Sequence, residues 1–284
     1  MMGVGKSTIG KNLAKKLKLK FVDIDKMIED SEKSKIKDIF KKNGEEYFRK
    51  IEKKLTMQIL KNNSLVIAFG GGTFLDKSIR EETKNDVLDI QCDVTEADQC
   101  KNLVEKTISH YKSIDVLVNN AGIGVFTPFE ERTADEFRMV TDVNLLGTFL
   151  MAQGAVKIMK KQKFGKVVNL GSIYGVKSSD ERIYGDSGRN NSEVYSITKA
   201  GVIQLTKYMA AHFGKYNIQT NCISPGGIYN GQSEDFVSNY EYKTPAQKMG
   251  APQDIMHALN FLCSEKADYI NGQNIAIDGG FLAW

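Results

Sequence analysis

Short apolar runs bounded by turn residues alternate along the chain with longer stretches of helical periodicity. This alternation is typical of a parallel sheet whose strands are joined by helices. The pattern predicts strands that read KFVDID, SLVIAF, VLDIQC, IDVLVNN, GKVVNLGS, IQTNCIS and NIAIDGG. We therefore predict an α/β protein with a doubly wound, mainly parallel sheet.

Polar residues mark where several of the intervening helices are predicted to begin. Thr95 with Asp98, and Thr133 with Glu136, have the spacing of capping boxes, in which side chains bond the free N–H groups of a helix start. Pro245 suits a first helical turn, because the N–H that proline lacks has no partner there. These signals predict a helix start at each of the three places.

The charge of the chain changes sign along its length. The net charge is +4, yet residues 1–84 carry 20 Lys and Arg against 12 Asp and Glu, while residues 85–284 carry 19 against 23. A change of sign at one point indicates two segments of different character. We predict segments 1–84 and 85–284, joined by the polar, helix-prone stretch REETKNDV.

Composition narrows the classes of protein. No run of about 18 apolar residues and no secretory leader is present, so we expect a cytoplasmic protein without a membrane partner. The 4 cysteines and 3 histidines lack the spacing of a metal site. The lysines of KNLAKKLKLK recur between apolar residues, as on a solvated helix face, so we expect no nucleic-acid partner.

The stretch MMGVGKST matches the second half of the phosphate-binding pattern G-x-x-x-x-G-K-[ST]. Backbone N–H groups of such a turn bind phosphate, the lysine reaches the outer phosphates, and a hydroxyl binds Mg²⁺. The predicted ATP-phosphate residues are Gly3, Gly5, Lys6, Ser7 and Thr8, with Ser7 as the Mg²⁺ ligand.

With FVDID, EEYFRKIE and AFGGGTFLD downstream, residues 2–80 resemble shikimate kinase. The resemblance implies a P-loop kinase-like α/β segment in which Asp25 accepts hydrogen bonds from substrate hydroxyls, Arg49 binds a carboxylate, and the turn at Gly71 approaches the substrate. The alternatives are a helix cap for the aspartates of FVDID, an ion pair between Arg49 and Glu52, and a plain turn. The strand that would present the phosphate loop is absent from the pattern, as is an arginine-bearing lid.

A second ordered set of motifs begins near residue 85. The set consists of CDVTEAD, NNAG, DVNLLGTF, VVNLGS, YSITK and SPGGI, with GQNIAIDGG after them. In this order the motifs resemble the short-chain dehydrogenase/reductase family from its third strand to its C-terminus. The resemblance implies a Rossmann-like fold and an NAD(P)-dependent oxidoreductase that acts on a small molecule, as a homotetramer or a dimer.

The resemblance also implies a set of catalytic residues. Tyr195 would be the acid/base, Ser172 would bond the substrate oxygen, and Asn144 would hold a water that relays protons from Lys199. A phenol of reference pKa ~10 is a poor base at neutral pH, and lowering that pKa by about three units requires ~4 kcal/mol of phenolate stabilisation. Lys199, four residues after Tyr195, shares its helix face, and its ammonium is predicted to supply that stabilisation.

Cofactor contacts follow from the same resemblance. Asp93 and Val94 would meet the adenine, the turn of Asn120, Ala121 and Gly122 would lie beside the ribose, and the stretch after the SPGGI strand would lie near the nicotinamide. The predicted cofactor residues are Asp93, Val94, Asn120, Ala121, Gly122, Lys199, Pro225, Gly226 and Ile228. The alternative for Asp93 is a turn residue ahead of Thr95.

Part of the family pattern is missing. The family's first strand, its pyrophosphate loop and its second strand, which distinguishes NAD from NADP, have no counterpart, and no G-x-x-x-G-x-G occurs in the chain. The strands KFVDID and SLVIAF are available to take the vacant positions. We therefore consider a composite sheet built from both segments as a hypothesis.

Two polar segments bear on the substrate. Between Ser172 and Tyr195 lie 22 residues, and YNGQSEDFVSNYEYK occupies the family's substrate-lid position. Their Asn, Ser and Tyr content, with Arg182 and Arg189 for an anionic group, favours a hydroxylated, phosphorylated or nucleotide-linked sugar. The family resemblance implies a sugar of surface or flagellar glycans. The alternative for both segments is an oligomer surface. Two alternatives remain open: an ATP-dependent kinase of small molecules, and a fused or truncated chain that binds a nucleotide at most.

Overall fold

The computed structural model describes residues 20–60, 65–68, 88–187 and 190–284. The chain divides into two compact units, Met1–Ile90 and Gln91–Trp284. Several predicted residues lie outside the described residues, and their roles stay predictions: Gly3, Gly5, Lys6, Ser7, Thr8, Gly71 and Arg189.

The described part of the first unit holds a two-stranded parallel sheet and two helices. Strand β1 (Lys20–Asp23) pairs with β2 (Leu65–Ala68). Helix α1 (Ile24–Glu32) follows β1 directly, and α2 (Ile36–Leu60) kinks at Gly44, whose φ of 80° lies in the left-handed region. The apolar faces of both helices form one cluster around Ile28 and Phe48.

The predicted strand KFVDID ends earlier than its sequence pattern suggests. The side chain of Asp23 accepts a hydrogen bond from the backbone N–H of Lys26 at 3.3 Å, so Asp23 caps α1. A capping residue keeps extended backbone while the next residue turns helical, and α1 therefore starts at Ile24. Asp25 lies in the first turn of this helix.

The second unit is built on a four-stranded parallel sheet in the order β3-β4-β5-β6. These strands are β3 (Val116–Asn119), β4 (Gly165–Leu170), β5 (Ile218–Pro225) and β6 (Asn274–Ile277). The helices are α3 (Ala97–Tyr111), α4 (Ala134–Thr141), α5 (Gly147–Gln162), α6 (Glu193–Phe213), α7 (Glu234–Lys243) and α8 (Pro252–Cys263). The predicted parallel α/β architecture is confirmed.

Alternating residues of β4 bury opposite faces of this sheet. Val167 packs in a cluster with Met159 of α5 and Met209 of α6, whereas Val168 packs with Leu262 of α8. Successive side chains of a strand point to opposite faces, so helices cover the sheet on both sides. All strand pairs are parallel, which brings the carboxyl ends of β3 to β6 to one edge.

The composite sheet is wrong, because the described strands form two separate sheets. The predicted strand VLDIQC is also wrong over its described part, residues 88–92, which form no strand. Within the described residues, β3 therefore pairs on one side only, with β4. Val116 and Val118 of β3 are 39% and 37% exposed, as expected of an edge strand.

Two of the three predicted helix starts are wrong, and one is confirmed. Thr133 and Glu136 form the complete capping box of α4. At α3 the helix begins one residue later than expected, and the Thr95 hydroxyl donates to Asp93 instead. Pro245 lies in the turn after α7, while Pro252 takes the first position of α8.

No helix among the described residues is long and apolar enough to span a membrane.

The two threonines give a matched test of the caps. Thr133→Ala removes the acceptor for the backbone N–H of Glu136, and we expect the free energy of unfolding to fall by about 1 kcal/mol. Thr95→Ala removes only an exposed bond to Asp93 and should have a smaller effect. Denaturant unfolding followed by the fluorescence of Trp284, the single tryptophan, measures both. An equal or larger loss for Thr95→Ala would contradict the assignment.

Candidate active site

The first two turns of α6 position the tyrosine and the lysine of the YSITK motif. Ser192 is the N-cap, and its hydroxyl accepts a hydrogen bond from the backbone N–H of Tyr195. The helix then brings Lys199 one turn further along the same face, as the spacing predicted. The Lys199 ammonium lies 5.6 Å from the centre of the Tyr195 ring.

Ser172, which follows a strand of the sheet, lies next to Tyr195. It follows the end of β4 by two residues, is buried, and lies close enough to the Tyr195 phenol to lower the pKa of that phenol. Its hydroxyl also accepts the backbone N–H of Tyr174 at 3.1 Å, which fixes its orientation. The structure thus brings Ser172, Tyr195 and Lys199 together at the carboxyl end of β4.

The pKa of Tyr195 departs from the sequence prediction. Burial raises the pKa of the phenol, and the hydrogen bond from Ser172 opposes this only in part. The Lys199 ammonium donates to the carbonyl oxygen of Leu170 at 2.8 Å, and its own burial lowers its pKa to about 8. A low dielectric disfavours both charged forms. The predicted lowering of the tyrosine pKa by Lys199 is therefore absent from this structure.

Asn144 lies in a single π-helical turn, Asp142–Leu146, between α4 and α5. Its side chain makes three hydrogen bonds: Oδ1 accepts the N–H of Ile123 at 2.8 Å, and Nδ2 donates to the Ile123 carbonyl and to Thr198 Oγ1. Such π-turns are rare and occur frequently at functional sites. Asn144 therefore clamps the loop after β3 to helix α6, next to Lys199. Its predicted role in holding a relay water stays a prediction.

The glycine of the loop after β3 touches these side chains. A Cβ added at Gly122 would lie 3.4 Å from both Asn144 Oδ1 and Lys199 Nζ. Asn120 and Ala121, just before it, are exposed. Among the hydrogen bonds of the described residues, Lys199 makes one, to a backbone carbonyl, and an ammonium has three N–H groups. This set of donors beside an open turn fits the hydroxyls of a cofactor ribose.

Asp93 and Val94 are held by local contacts. The Asp93 carboxylate accepts the backbone N–H and the hydroxyl of Thr95 at 2.9 and 2.8 Å, and these bonds lower the pKa of Asp93. Val94 packs against Gly147 at the start of α5, where an added Cβ would lie 2.6 Å from the valine side chain. The turn role considered for Asp93 is present, and adenine binding by both residues stays a prediction.

A cavity of about 800 Å³ opens beside Tyr195. Ser172, Tyr195, Pro225 and Gly226 line it, so the end of β5 meets the end of β4 here. Ile228 lies just beyond, bridged to Gly250. Of the predicted nicotinamide residues, Pro225 and Gly226 thus lie at the cavity that holds the proposed acid/base, whereas Ile228 does not line it.

Among the described residues that line this cavity, five aromatic ones were not identified from the sequence, and four of them lie in the two polar segments. Tyr184, Phe236 and Tyr240 are among these four, and Tyr240 hydrogen-bonds the backbone N–H of Gly227. A side chain at position 227 would collide with the Tyr240 ring, since an added Cβ lies 2.6 Å from its Cζ. The sequence did mark the two polar segments that carry these residues, but periodicity does not reveal which rings face inward.

Arg182 does not line this cavity. Its guanidinium makes a bidentate bond to the Asp180 carboxylate at 2.9 and 2.7 Å and borders a second cavity of about 1200 Å³. Lys243 contacts the same carboxylate. The guanidinium predicted to bind an anionic substrate is thus already paired within the protein.

In the first unit, Arg49 is also paired. It bonds Glu52 at 2.8 Å and Glu45 at 3.1 Å on α2, so the ion pair considered as an alternative is present. Its role in binding a carboxylate, like the role of Asp25 in binding hydroxyls, stays a prediction.

Comparison with known proteins identifies two family models. One described as enoyl-(acyl carrier protein) reductase matches residues 75–282, and one described as shikimate kinase matches residues 2–108. A 2-dehydro-3-deoxy-D-gluconate 5-dehydrogenase from Formosa agariphila is 34% identical over 74% of this chain and 79% of its own.

Solved structures of dehydrogenases support the match to the reductase model. A short-chain dehydrogenase from Leptospira borgpetersenii with bound NAD⁺ is 43% identical, with a TM-score of 0.65 over 78% of this chain and 77% of that one. A gluconate 5-dehydrogenase from Burkholderia cenocepacia in complex with NADP and tartrate is 25% identical, with a TM-score of 0.64 over 83% and 82% of the two chains.

The lowered pKa of Lys199 gives a pH-dependent stability. Between about 8 and the ordinary lysine pKa of 10.5 the unfolded chain binds more protons than the folded chain, so this group makes stability rise with pH. We expect Lys199→Met to be most stabilising, relative to the native chain, near about pH 7, and to lose about 1 to 2 kcal/mol of that advantage by about pH 9.5.

Denaturant unfolding across that pH range measures this change. Lys207→Met removes an exposed lysine from the same helix and serves as the control. A stability difference between Lys199→Met and the native chain that stays constant with pH would contradict the expected burial of the ammonium.

Proposed function

The chain belongs to the short-chain dehydrogenase/reductase family, and we propose that its second unit interconverts a secondary alcohol and a ketone on a sugar-like substrate. The NAD(P)-dependent oxidoreductase class follows from the family, whereas the substrate and the residue roles are the proposal. The observation that carries it is that Ser172 and Tyr195 line the same cavity, with the Lys199 ammonium 5.6 Å from the centre of the Tyr195 ring.

In the reductive direction the Tyr195 phenol donates its proton to the substrate carbonyl oxygen, while Ser172 bonds the same oxygen. Bound NAD(P)H supplies the hydride to the carbonyl carbon. Burial keeps Tyr195 protonated at neutral pH, which suits the acid required for reduction. In the oxidative direction Tyr195 must first lose this proton, so oxidation gains more from alkaline pH than reduction does.

The described residues fit the nicotinamide end of the cofactor. Lys199 and the Asn120–Gly122 turn would hold the ribose, and Pro225 and Gly226 would lie beside the nicotinamide ring. Asp93 and Val94 would meet the adenine. The proposal covers both NAD and NADP, because the strand end that distinguishes the two cofactors in the family has no counterpart in the sequence.

A second candidate function is phosphoryl transfer by the first unit. The match of residues 2–108 to a shikimate kinase model favours it. Gly3, Gly5, Lys6, Ser7 and Thr8 would bind ATP and Mg²⁺, and Asp25, Arg49 and Gly71 would bind the acceptor.

We also propose a homo-oligomer in the cytoplasm. Phe149, on α5, and Ile197, on α6, are 42% and 54% exposed, which suits a contact between copies. The four cysteines are free thiols, as expected in a reducing compartment.

Ligand-induced stabilisation separates the candidates. We expect NAD(H) or NADP(H) to raise the free energy of unfolding reported by Trp284, by about 2.7 kcal/mol at one hundred times the dissociation constant. MgATP is measured in parallel. A shift with MgATP alone would favour the kinase, and no shift with any nucleotide would favour a chain with neither activity.

Tyr195→Phe tests the acid/base. This variant keeps the ring but removes the proton donor, so kcat should fall by about 10²- to 10⁴-fold while cofactor binding is retained. Turnover is followed by the absorbance of NAD(P)H, and cofactor binding by the stability shift. Tyr208→Phe, at an exposed tyrosine of the same helix, is the control. Undiminished turnover by Tyr195→Phe would refute the assigned role.

A further inference from the structure

We propose that the cavity beside Tyr195 selects an uncharged, polyhydroxylated substrate and excludes carboxylates and phosphates. This inference rests on the proposed oxidoreductase function and narrows its substrate class. It departs from the anionic sugar favoured by the arginines of the sequence. Three features of the described residues carry it: the absence of charge in the lining, an aromatic wall, and amide groups at the rim.

No Asp, Glu, Lys or Arg occurs among the described residues that line the cavity. Its polar side chains are hydroxyls and amides, such as Ser172, Asn191 and Asn230. An anionic group that leaves water is strongly disfavoured unless it meets a cation or several hydrogen-bond donors. A neutral hydroxyl needs only one or two partners, and this lining offers both donors and acceptors.

Two nearby cations lie outside this lining. Lys199 donates to the Leu170 carbonyl and is not part of the lining. Arg182 is held by Asp180 at the second cavity. Arg189 lies outside the described residues and is therefore tested directly below.

An aromatic wall forms where the two polar segments meet. Tyr184, from the stretch before α6, lies with its ring centre 5.3 Å from that of Phe236 on α7, at an interplanar angle of 61°. Behind them Tyr240 stacks on Phe281 at 5.0 Å. The negative face of an aromatic ring attracts the weakly positive C–H groups of a sugar, and a rigid ring loses little entropy on binding.

The amides at the rim are arranged by the loop itself. Gln232 accepts the backbone N–H of Asn230 at 2.7 Å and donates to the Ile228 carbonyl at 2.9 Å. Gln232 is therefore committed to shaping the loop, and it leaves the exposed side chain of Asn230 at the cavity. A single substitution at position 230 therefore changes the charge of the cavity lining.

D-Glucitol and D-gluconate form the matched probe pair, because they differ only by CH₂OH against carboxylate at one end. Binding to the full chain with saturating NAD⁺ or NADP⁺ is measured by saturation-transfer NMR, and oxidation by the appearance of NAD(P)H. D-Galactitol and D-galactonate repeat the comparison. We expect each polyol to bind at least about tenfold more tightly than its acid. Equal or tighter binding of the acids, or no binding of either class, overturns the inference.

Asn230→Lys adds a cation to the cavity and should shift the preference about tenfold toward the acids. Ser238→Lys adds the same charge at an exposed position of α7 outside the lining and should leave the preference unchanged. An unchanged preference in Asn230→Lys counts against the proposed site. If the native chain prefers the acids and Arg189→Ala removes that preference, the inference is likewise overturned, with Arg189 as the cause.

Phe236→Ala should weaken polyol binding about tenfold by removing one ring of the wall. Tyr242→Ala, at a tyrosine of the same helix that is 90% exposed, is the control.

Failure of the substrate inference can be distinguished from failure of the proposed function. A chain that is stabilised by NAD(P)(H) and oxidises a simple secondary alcohol, but binds no polyol, keeps its function and loses this substrate class.

Discussion

The hydrogen bond from the Lys199 ammonium to the carbonyl oxygen of Leu170 ties helix α6 to the end of β4, and the candidate site depends on it. Leu170 is the last residue of β4, and Ser172 follows it, so the bond sets the distance between the serine and the helix that carries Tyr195. The backbone is equally close here, since a Cβ at Gly175 would lie 2.7 Å from the backbone of Lys199. Helix and loop therefore hold one relative position.

This close packing also decides the electrostatics. Burial disfavours the tyrosinate and the ammonium alike, so the tyrosine keeps its proton and the lysine releases its proton more readily than an exposed lysine does. A phenol that keeps its proton is a competent acid, and a buried ammonium with a lowered pKa is a group that can exchange protons near neutral pH. The site is thus suited to proton transfer before any substrate enters.

The sequence predicted the parts of this arrangement that follow from local pattern. The spacing of Tyr195 and Lys199, and the strand ends before Ser172 and Pro225, needed only helical and strand periodicity. The π-turn at Asn144 was beyond such reasoning, because it results from bonds to Ile123 and Thr198 far along the chain. Thr95 failed as a cap for a local reason, since its hydroxyl bonds Asp93 two residues earlier.

The catalytic geometry does not depend on the strands that the sequence lacks. Ser172, Tyr195 and Lys199 stand on β4 and α6, whose neighbours β5 and α5 are present and well buried. Among the described residues, the valines of β3 are exposed, on the strand that the absent strands would adjoin. Proton transfer and cofactor affinity are therefore separable properties of this chain. Weak binding of the dinucleotide would lower the fraction of protein that holds the cofactor without changing the position of the Tyr195 phenol.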